Sequence, residues 1–369
     1  MKNTSATLTL FFILIVTLAM PQTPGNWQYA VQAGGNTADA ARGIATDAAG
    51  NSYITGYFDV SANFYGSSTF SLTAGGGNDI FVAKYDVSGN ALWAVNAGGK
   101  GVDQGLDVAL DQSGAVYVTG HFTDTAIFMG SLPVLLISNG QADIFLAKYD
   151  ANGDLQWVKK AGGSGNDYGN KLDVDAAGNI YVTGFFPADT LVFYGTPNDS
   201  VYSNGGTDIF IAKFDANGNV LWAHNEGGSG NDIGNGIKAD ATGNVYAIGS
   251  FLNTAYFYTA SGKDSLTALG SNDVYTLKLD ANGDMLWVRQ GGSNLTDIGN
   301  SVVVDTSGNV YAVGSCNTSC AFSAPMGSIV LTSNGFSDIF LVSYDSLGNL
   351  RWGRHAGGAN SEFGGGMVL

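Results

Sequence analysis

The chain has 369 residues, with 54 glycines against 6 prolines, 12% aromatic and 12% charged residues. That length exceeds what one hydrophobic core usually serves, so it calls for two domains or an architecture that grows by repetition, and so much apolar mass excludes a disordered chain. Fifteen basic and 31 acidic residues leave a net charge of −16, which repels polyanions and excludes nucleic acid and an anionic membrane surface as partners.

The first element reads as an export signal over residues 1–22. Lys2 supplies the positive start and Leu8 to Met20 an apolar core too short to span a bilayer, and cleavage is expected between Ala19 and Gln22. The mature chain is therefore expected to be secreted or at the cell surface, with no transmembrane segment.

Residues 23–369 read as one repeat domain. Tryptophans stand at Trp27, Trp93, Trp157, Trp222, Trp287 and Trp352, at intervals of 66, 64, 65, 65 and 65 residues, and no tryptophan falls outside the series. Aspartates keep the same step at Asp47, Asp111, Asp175, Asp240 and Asp305. Such a period marks a repeat architecture. The copies run over about 28–93, 94–157, 158–222, 223–287 and 288–352, with a partial copy at 353–369.

Each copy carries two hairpins. In the first, Gly43-Ile-Ala-Thr-Asp47 (strand A) turns through Ala48 to Gly50 into Asn51-Ser-Tyr-Ile-Thr-Gly56 (strand B). In the second, Asp79-Ile-Phe-Val-Ala-Lys-Tyr-Asp86 (strand C) turns through Val87-Ser-Gly-Asn90 into Ala91-Leu-Trp-Ala-Val (strand D), and it recurs from Asp143, Asp208, Asp273 and Asp338. An aspartate that bonds its own backbone and a glycine that accepts positive φ are what such loops need. Between B and C lies a variable stretch of about 20 residues, as at Phe58 to Gly77, whose aromatic and apolar runs suggest a further small hairpin. The expected fold is all-β: a β-propeller of blades of about 65 residues, with five complete copies plus partial terminal strands. Because the final Gly-Gly-Gly-Met-Val-Leu369 aligns with the start of an A strand, the expectation is a six- or seven-bladed ring truncated at its C-terminus.

The string Asp-Ile-Phe-Val-Ala-Lys-Tyr-Asp-x-x-Gly-Asn-x-x-Trp at 79–93, then Gly-Gly, then Asp-x-x-Gly-Asn-x-Tyr-Val-Thr-Gly, resembles the SBBP-type bacterial β-propeller repeat family. The resemblance covers nearly all of the mature chain. It implies an exported or surface-associated propeller, and it carries over no catalytic residue. Ser343 departs from the pattern where other copies have Lys84, Lys148, Lys213 and Lys278, as does the segment from Cys316 to Cys320.

The site candidates compete with structural readings. Cys316 and Cys320 are expected to form a local disulfide in an oxidising compartment, with a metal or catalytic pair as the alternative. Gly162-Gly-Ser-Gly-Asn-Asp-Tyr-Gly-Asn170 and its counterpart at 227–235 look like the calcium nonapeptide of β-rolls, making Asp167 and Asp232 the calcium candidates. One copy per 65 residues denies the ion sharing of tandem repeats, so the competing reading is a crossover in which both aspartates bond backbone amides. No cofactor is otherwise expected. The four repeated lysines are expected to pair with a recurrent aspartate, and His121, His224 and His355 fall at unrelated points of the repeat, which gives a hydrolytic triad no support.

Strand parity puts A-to-B and C-to-D turns on one rim, and B-to-C loops and D-to-A crossovers on the other. The variable loops around Phe64, Phe128, Phe193, Phe257 and Phe322 make that second rim the candidate binding face, unless those rings pack the inserted hairpins. The leading reading is a non-catalytic exported scaffold or adhesion module for a protein or glycan at the cell surface. The alternative is a propeller enzyme, acting on polysaccharide or as a quinone-dependent oxidoreductase, since the Asp-x-x-Gly-x-x-x-Trp pattern also looks like the tryptophan-docking motif of quinoprotein propellers. Convergence of Asp107 and Asp173 in the central channel would favour the enzyme.

Overall fold

The computed structural model describes residues 30–187, 189–195 and 198–369. The export signal and Trp27 lie outside the described residues. Among the described residues there is no helix, and therefore none long and apolar enough to cross a membrane.

A short strand, β1 (Ala33–Gly34), precedes the first complete unit, which comprises β2 (Asp39–Thr46), β3 (Ser52–Phe58), β4 (Ser61–Phe64), β5 (Phe70–Thr73), β6 (Asp79–Tyr85) and β7 (Ala91–Gly98). The second unit comprises β8 (Gln104–Leu110), β9 (Val116–Phe128), β10 (Val134–Tyr149) and β11 (Leu155–Gly162). The third comprises β12 (Tyr168–Val174), β13 (Ile180–Phe186), β14 (Thr190–Phe193), β15 (Asp199–Tyr202), β16 (Asp208–Phe214) and β17 (Val220–Gly228). The fourth comprises β18 (Ile233–Ala239), β19 (Val245–Phe251), β20 (Thr254–Thr259), β21 (Gly262–Thr267), β22 (Asp273–Leu279) and β23 (Met285–Gly292), and the fifth β24 (Ile298–Val304), β25 (Val310–Ala324), β26 (Gly327–Tyr344) and β27 (Leu350–Ala356).

Within each unit the A, B, C and D strands pair antiparallel in sequence order. The turn chemistry is uniform. Asp175 Oδ1 accepts the N–H groups of Ala177 and Asn179, both at 2.9 Å, and Gly178 takes φ +83°, a pattern repeated at the other A–B and C–D turns. The stretch between B and C does form an extra hairpin: β4–β5, β14–β15, β20–β21, and the outer halves of β9–β10 and β25–β26. This hairpin pairs with the D strand of the preceding unit, Ala97 opposite Phe128, Ala161 opposite Phe193 and Gly227 opposite Tyr256.

The apolar cores lie between units. One cluster joins Tyr53, Ile80 and Val82 of the first unit to Phe122, Phe145 and Tyr149 of the second, and equivalent clusters join each later pair. Apart from one cluster of Phe58, Phe64, Phe81 and Tyr85 within the first unit, the sheets bury their faces against their neighbours, as blades do. The A strands β2, β8, β12, β18 and β24 follow one another in contact along the inside. Asn170 Nδ2 donates to Gly234 O at 2.9 Å, Asn235 Nδ2 to Gly299 O at 3.0 Å, and Asn300 Nδ2 to Gly364 O at 2.6 Å. The segment around Gly364 thus occupies the next A-strand position.

Candidate functional site

The most regular residues of the repeat are structural. Trp93, Trp157, Trp222 and Trp287 donate their indole N–H to Ala151, Ala216, Ala281 and Ser346 carbonyls in the C–D turn of the following unit, at 3.1 to 3.3 Å. The repeated lysines do not pair with an aspartate, which corrects the sequence expectation. Each lies over the tyrosine ring of its own B strand, at 4.9 to 5.2 Å from Lys84 to Tyr53 through Lys278 to Tyr246. Lys148, Lys213 and Lys278 also donate to the same carbonyl that the tryptophan uses, at 3.1 to 3.4 Å. The tyrosine hydroxyl takes the aspartate instead: Tyr181 donates to Asp175 at 2.9 Å. The lysine side chain is thus held by a ring face and a main-chain dipole.

Along the axis, Asp107 and Asp173 do not converge as a free catalytic pair. Lys171 Nζ is 3.2 Å from Asp107 and Lys238 Nζ is 2.6 Å from Asp173, and the Leu172 and Ala239 N–H groups donate to the second oxygens. Each carboxylate is used to tie one A strand to the next. Phe64, Phe128, Phe193, Phe257 and Phe322 are all at most 2% exposed, so they offer no binding rim. They pack against Phe81, Phe145, Phe210, Tyr275 and Phe340, closing the inserted hairpin over strand C.

The D-to-A crossovers conceal a second repeated set. Asp79, Asp143, Asp208, Asp273 and Asp338 begin the C strands and are buried, as are Asp103, Asp167, Asp232 and Asp297 before the A strands. The latter accept N–H groups four residues earlier, Gly99 at 2.8 Å, Gly163 at 2.7 Å and Gly228 at 2.8 Å, and the Asp103 N–H donates to Asn78 O at 2.7 Å. Burial pushes the Asp79 carboxyl up to about 6, and burial aided by the charge of Asp79 pushes Asp103 up to about 7. Asp232 and Asp297 are raised to about 6 by the same cause. The calcium candidates Asp167 and Asp232 therefore sit inside the crossover, bonding backbone amides.

Cys316 and Cys320 are joined in a disulfide with Cα atoms 6.1 Å apart. Asp297 lies beside them, yet sulfurs bonded to each other are not thiolate ligands. His121 is buried against Tyr168 and held down at about 4 by burial, His224 packs on Trp222, and His355 is exposed. Among the described residues none hydrogen-bonds to a serine or cysteine.

Among the described residues an open, half-polar cleft is large enough to admit a small ligand. It measures about 410 Å³ and lies between the inserted hairpin of the third unit, strand β17 and Tyr258 of the fourth unit's hairpin. Tyr202, 65% exposed, forms a wall with Tyr258, and Ser200, Asn204, His224 and Asn225 supply polar groups. Asn225 Nδ2 donates to Tyr202 O at 2.8 Å and fixes that wall. Sequence reasoning missed the cleft because its residues come from the segments that differ between copies; the outward position of Tyr202 in a β15 that alternates in and out was its only signal.

The sequence pattern of the SBBP β-propeller repeat matches residues 156–184 and 286–318, the D-strand tryptophan through the next B strand each time. Two stretches of the chain carry the pattern of the SBBP β-propeller repeat. Those SBBP stretches contain the Trp157 and Trp287 clasps and the turn aspartates Asp175 and Asp305 described above. The uncharacterized WD repeat-containing protein L264 of Acanthamoeba polyphaga mimivirus is 26% identical over 359 residues, covering 80% of this chain and 26% of that protein. The regulatory protein FlaEY of Caulobacter vibrioides is 30% identical over 145 residues, 39% of this chain and 15% of that protein. The chain spans about a quarter or less of the length of these relatives. A crystal structure of a Bacteroides caccae protein of unknown function superposes on 77% of this chain and 92% of its own with a TM-score of 0.35 and 11% identity, too loosely to carry an argument.

Proposed function

We propose that the protein is an exported, non-catalytic β-propeller scaffold that binds a glycan or protein at the cell surface through the cleft between its third and fourth units. The reading rests on that cleft, where two tyrosines flank a space lined by amide, hydroxyl and imidazole groups. An exposed tyrosine face beside neutral hydrogen-bonding groups suits a sugar ring, which is itself apolar on its faces and polar at its rim. The SBBP and WD-repeat likenesses support a scaffold, and the apolar start of the chain supports export. The enzyme alternative, polysaccharide-acting or quinone-dependent, gains no observation, because Asp107 and Asp173 are each spent on a lysine of the next A strand.

The test is a glycan and surface-protein array probed with the purified chain and with Tyr202→Ala. The expected result is a restricted set of bound glycans, lost at least tenfold in Tyr202→Ala with an unchanged melting temperature. Binding that survives the substitution, or turnover of a bound glycan, contradicts the proposal.

A further inference from the structure

In the second, fourth and fifth units the carboxylate before the A strand has both oxygens occupied, whereas Asp39 of the first unit has one oxygen without a donor among the described residues. Asp103 accepts N–H groups from Gly99 at 2.8 Å and Thr123 at 3.0 Å, Asp232 from Gly228 and Leu252, both at 2.8 Å, and Asp297 from Ser293 at 2.6 Å and Asn317 at 2.7 Å. In the third unit the residue at the position of Thr123, Leu252 and Asn317 is Pro187, which has no N–H to give. Asp167 Oδ1 is consequently without a donor, in a residue that is 0% exposed.

Two further carboxylates reach the same place with an unpartnered oxygen. Asp143 is likewise 0% exposed and its Oδ1 has no partner, as is also true of the Oδ1 of its counterparts Asp79, Asp208 and Asp273. Asp189 stands where the other units have Val60, Asp124, Asn253 and Thr318, one residue before the start of the inserted hairpin. Its Oδ2 accepts both the N–H and the hydroxyl of Ser164 at 2.5 Å, and its Oδ1 is unpartnered. The three surround the dipeptide Gly162-Gly163: Asp143 Oδ1 lies 2.5 Å from where a Gly162 Cβ would stand, Asp189 Oδ1 lies 2.8 Å from the corresponding point on Gly163, and the Gly163 N–H holds Asp167. The neighbouring cation, Lys160, is 3.6 Å from the other oxygen of Asp143 and also donates to Ile137 O and Asn139 Oδ1.

We propose that Asp143, Asp167 and Asp189 form a calcium site at the junction of the second and third units. A buried acceptor left without a donor keeps its desolvation penalty, and three at one place call for a counter-charge that one shared lysine does not supply. The donor set is entirely oxygen, with no histidine or thiolate, which selects a hard cation. Calcium tolerates irregular, expandable coordination, whereas magnesium demands a near-ideal octahedron. The three oxygens do not yet share a 4.8 Å span, so binding draws inward Asp189, on the connection between β13 and β14. The other units have Asp59, Thr123, Leu252 and Asn317 in place of Pro187, and an acid recurs at the Asp189 position only in Asp124, which is exposed beside an Asp103 whose oxygens are both occupied.

Calorimetric titration of calcium chloride into the EDTA-treated full chain at about pH 8 tests the site. The expected result is one ion per chain with a Kd of about 0.1–1 mM, the range of extracellular modules. Asp189→Asn and Pro187→Thr each weaken binding at least tenfold, while Asp264→Asn, at an exposed carboxylate elsewhere, leaves it unchanged. Pro187→Thr restores the N–H seen at Thr123, so its calcium-free melting temperature equals or exceeds that of the parent, which separates loss of the site from loss of the fold. Absence of binding at about 10 mM calcium, binding that persists in Asp189→Asn, or a melting temperature that follows pH but not calcium each overturns the proposal.

Discussion

Gly178 shows how a single residue sets a blade. Its φ of +83° closes the A–B turn of the third unit, and the nearest atom to an added Cβ would be Ala216 Cβ at 3.6 Å, so space is not the obstacle. Gly178→Ala therefore carries only the left-handed backbone cost, about 1–2 kcal/mol, and chemical denaturation should register that loss with an unchanged m-value. These turns were legible in the sequence because aspartate and glycine act locally, within four residues. The partners of Lys148 and Lys213 were not, because Ala216 O and Ala281 O lie 68 residues downstream and a main-chain carbonyl has no residue-type signature. Asp79 and its counterparts were visible as strand openings, but burial opposite Asp103 depends on how two units meet.

At the scale of the element, the inserted hairpin is the part that the sequence announced without placing. Its aromatic and apolar runs predicted two more strands, and β14–β15 fulfils that. What the pattern does not encode is that β14 pairs with β11 of the preceding unit, so each blade lends its hairpin to its neighbour. That handover explains why the rings expected on a binding rim are buried: Phe193 meets Phe210 at 5.8 Å and Phe214 at 6.0 Å. Phe193→Ala removes this contact between the inserted hairpin and strand C of the same unit and should destabilise the protein by about 3–5 kcal/mol, seen as a lower denaturation midpoint and faster hydrogen exchange across β11, the strand that pairs with β14. An outcome below about 1 kcal/mol would mean the hairpin is not part of the core. The cleft at Tyr202 was illegible for the opposite reason, since it draws on the segments that do not repeat.

For the whole molecule, two sets of aspartates make stability depend on pH in opposite directions. In the turns, Asp111, Asp175 and Asp240 are held below the usual carboxylate range, because hydrogen bonds from their own turn outweigh burial. Their contribution is present above the unfolded value and fades as pH falls through the lowered one. At the junctions, Asp79 at about 6 and Asp103 at about 7 are raised by burial, so the fold holds protons that the unfolded chain releases. Their contribution is complete at low pH and is lost as pH climbs through 6 and 7. The melting temperature should therefore peak near about pH 5 and fall towards both about pH 3 and about pH 8, with Asp103→Asn flattening the alkaline fall.

The units are arranged around an axis, with A strands inside and cores between neighbouring sheets. Small-angle X-ray scattering of the monomeric chain measures that arrangement directly. Compact packing of 369 residues predicts a radius of gyration of about 21 Å and a pair-distance distribution with a single maximum. An elongated particle with a radius of gyration above about 27 Å, well beyond that compact value, would place the units in a row and contradict the propeller.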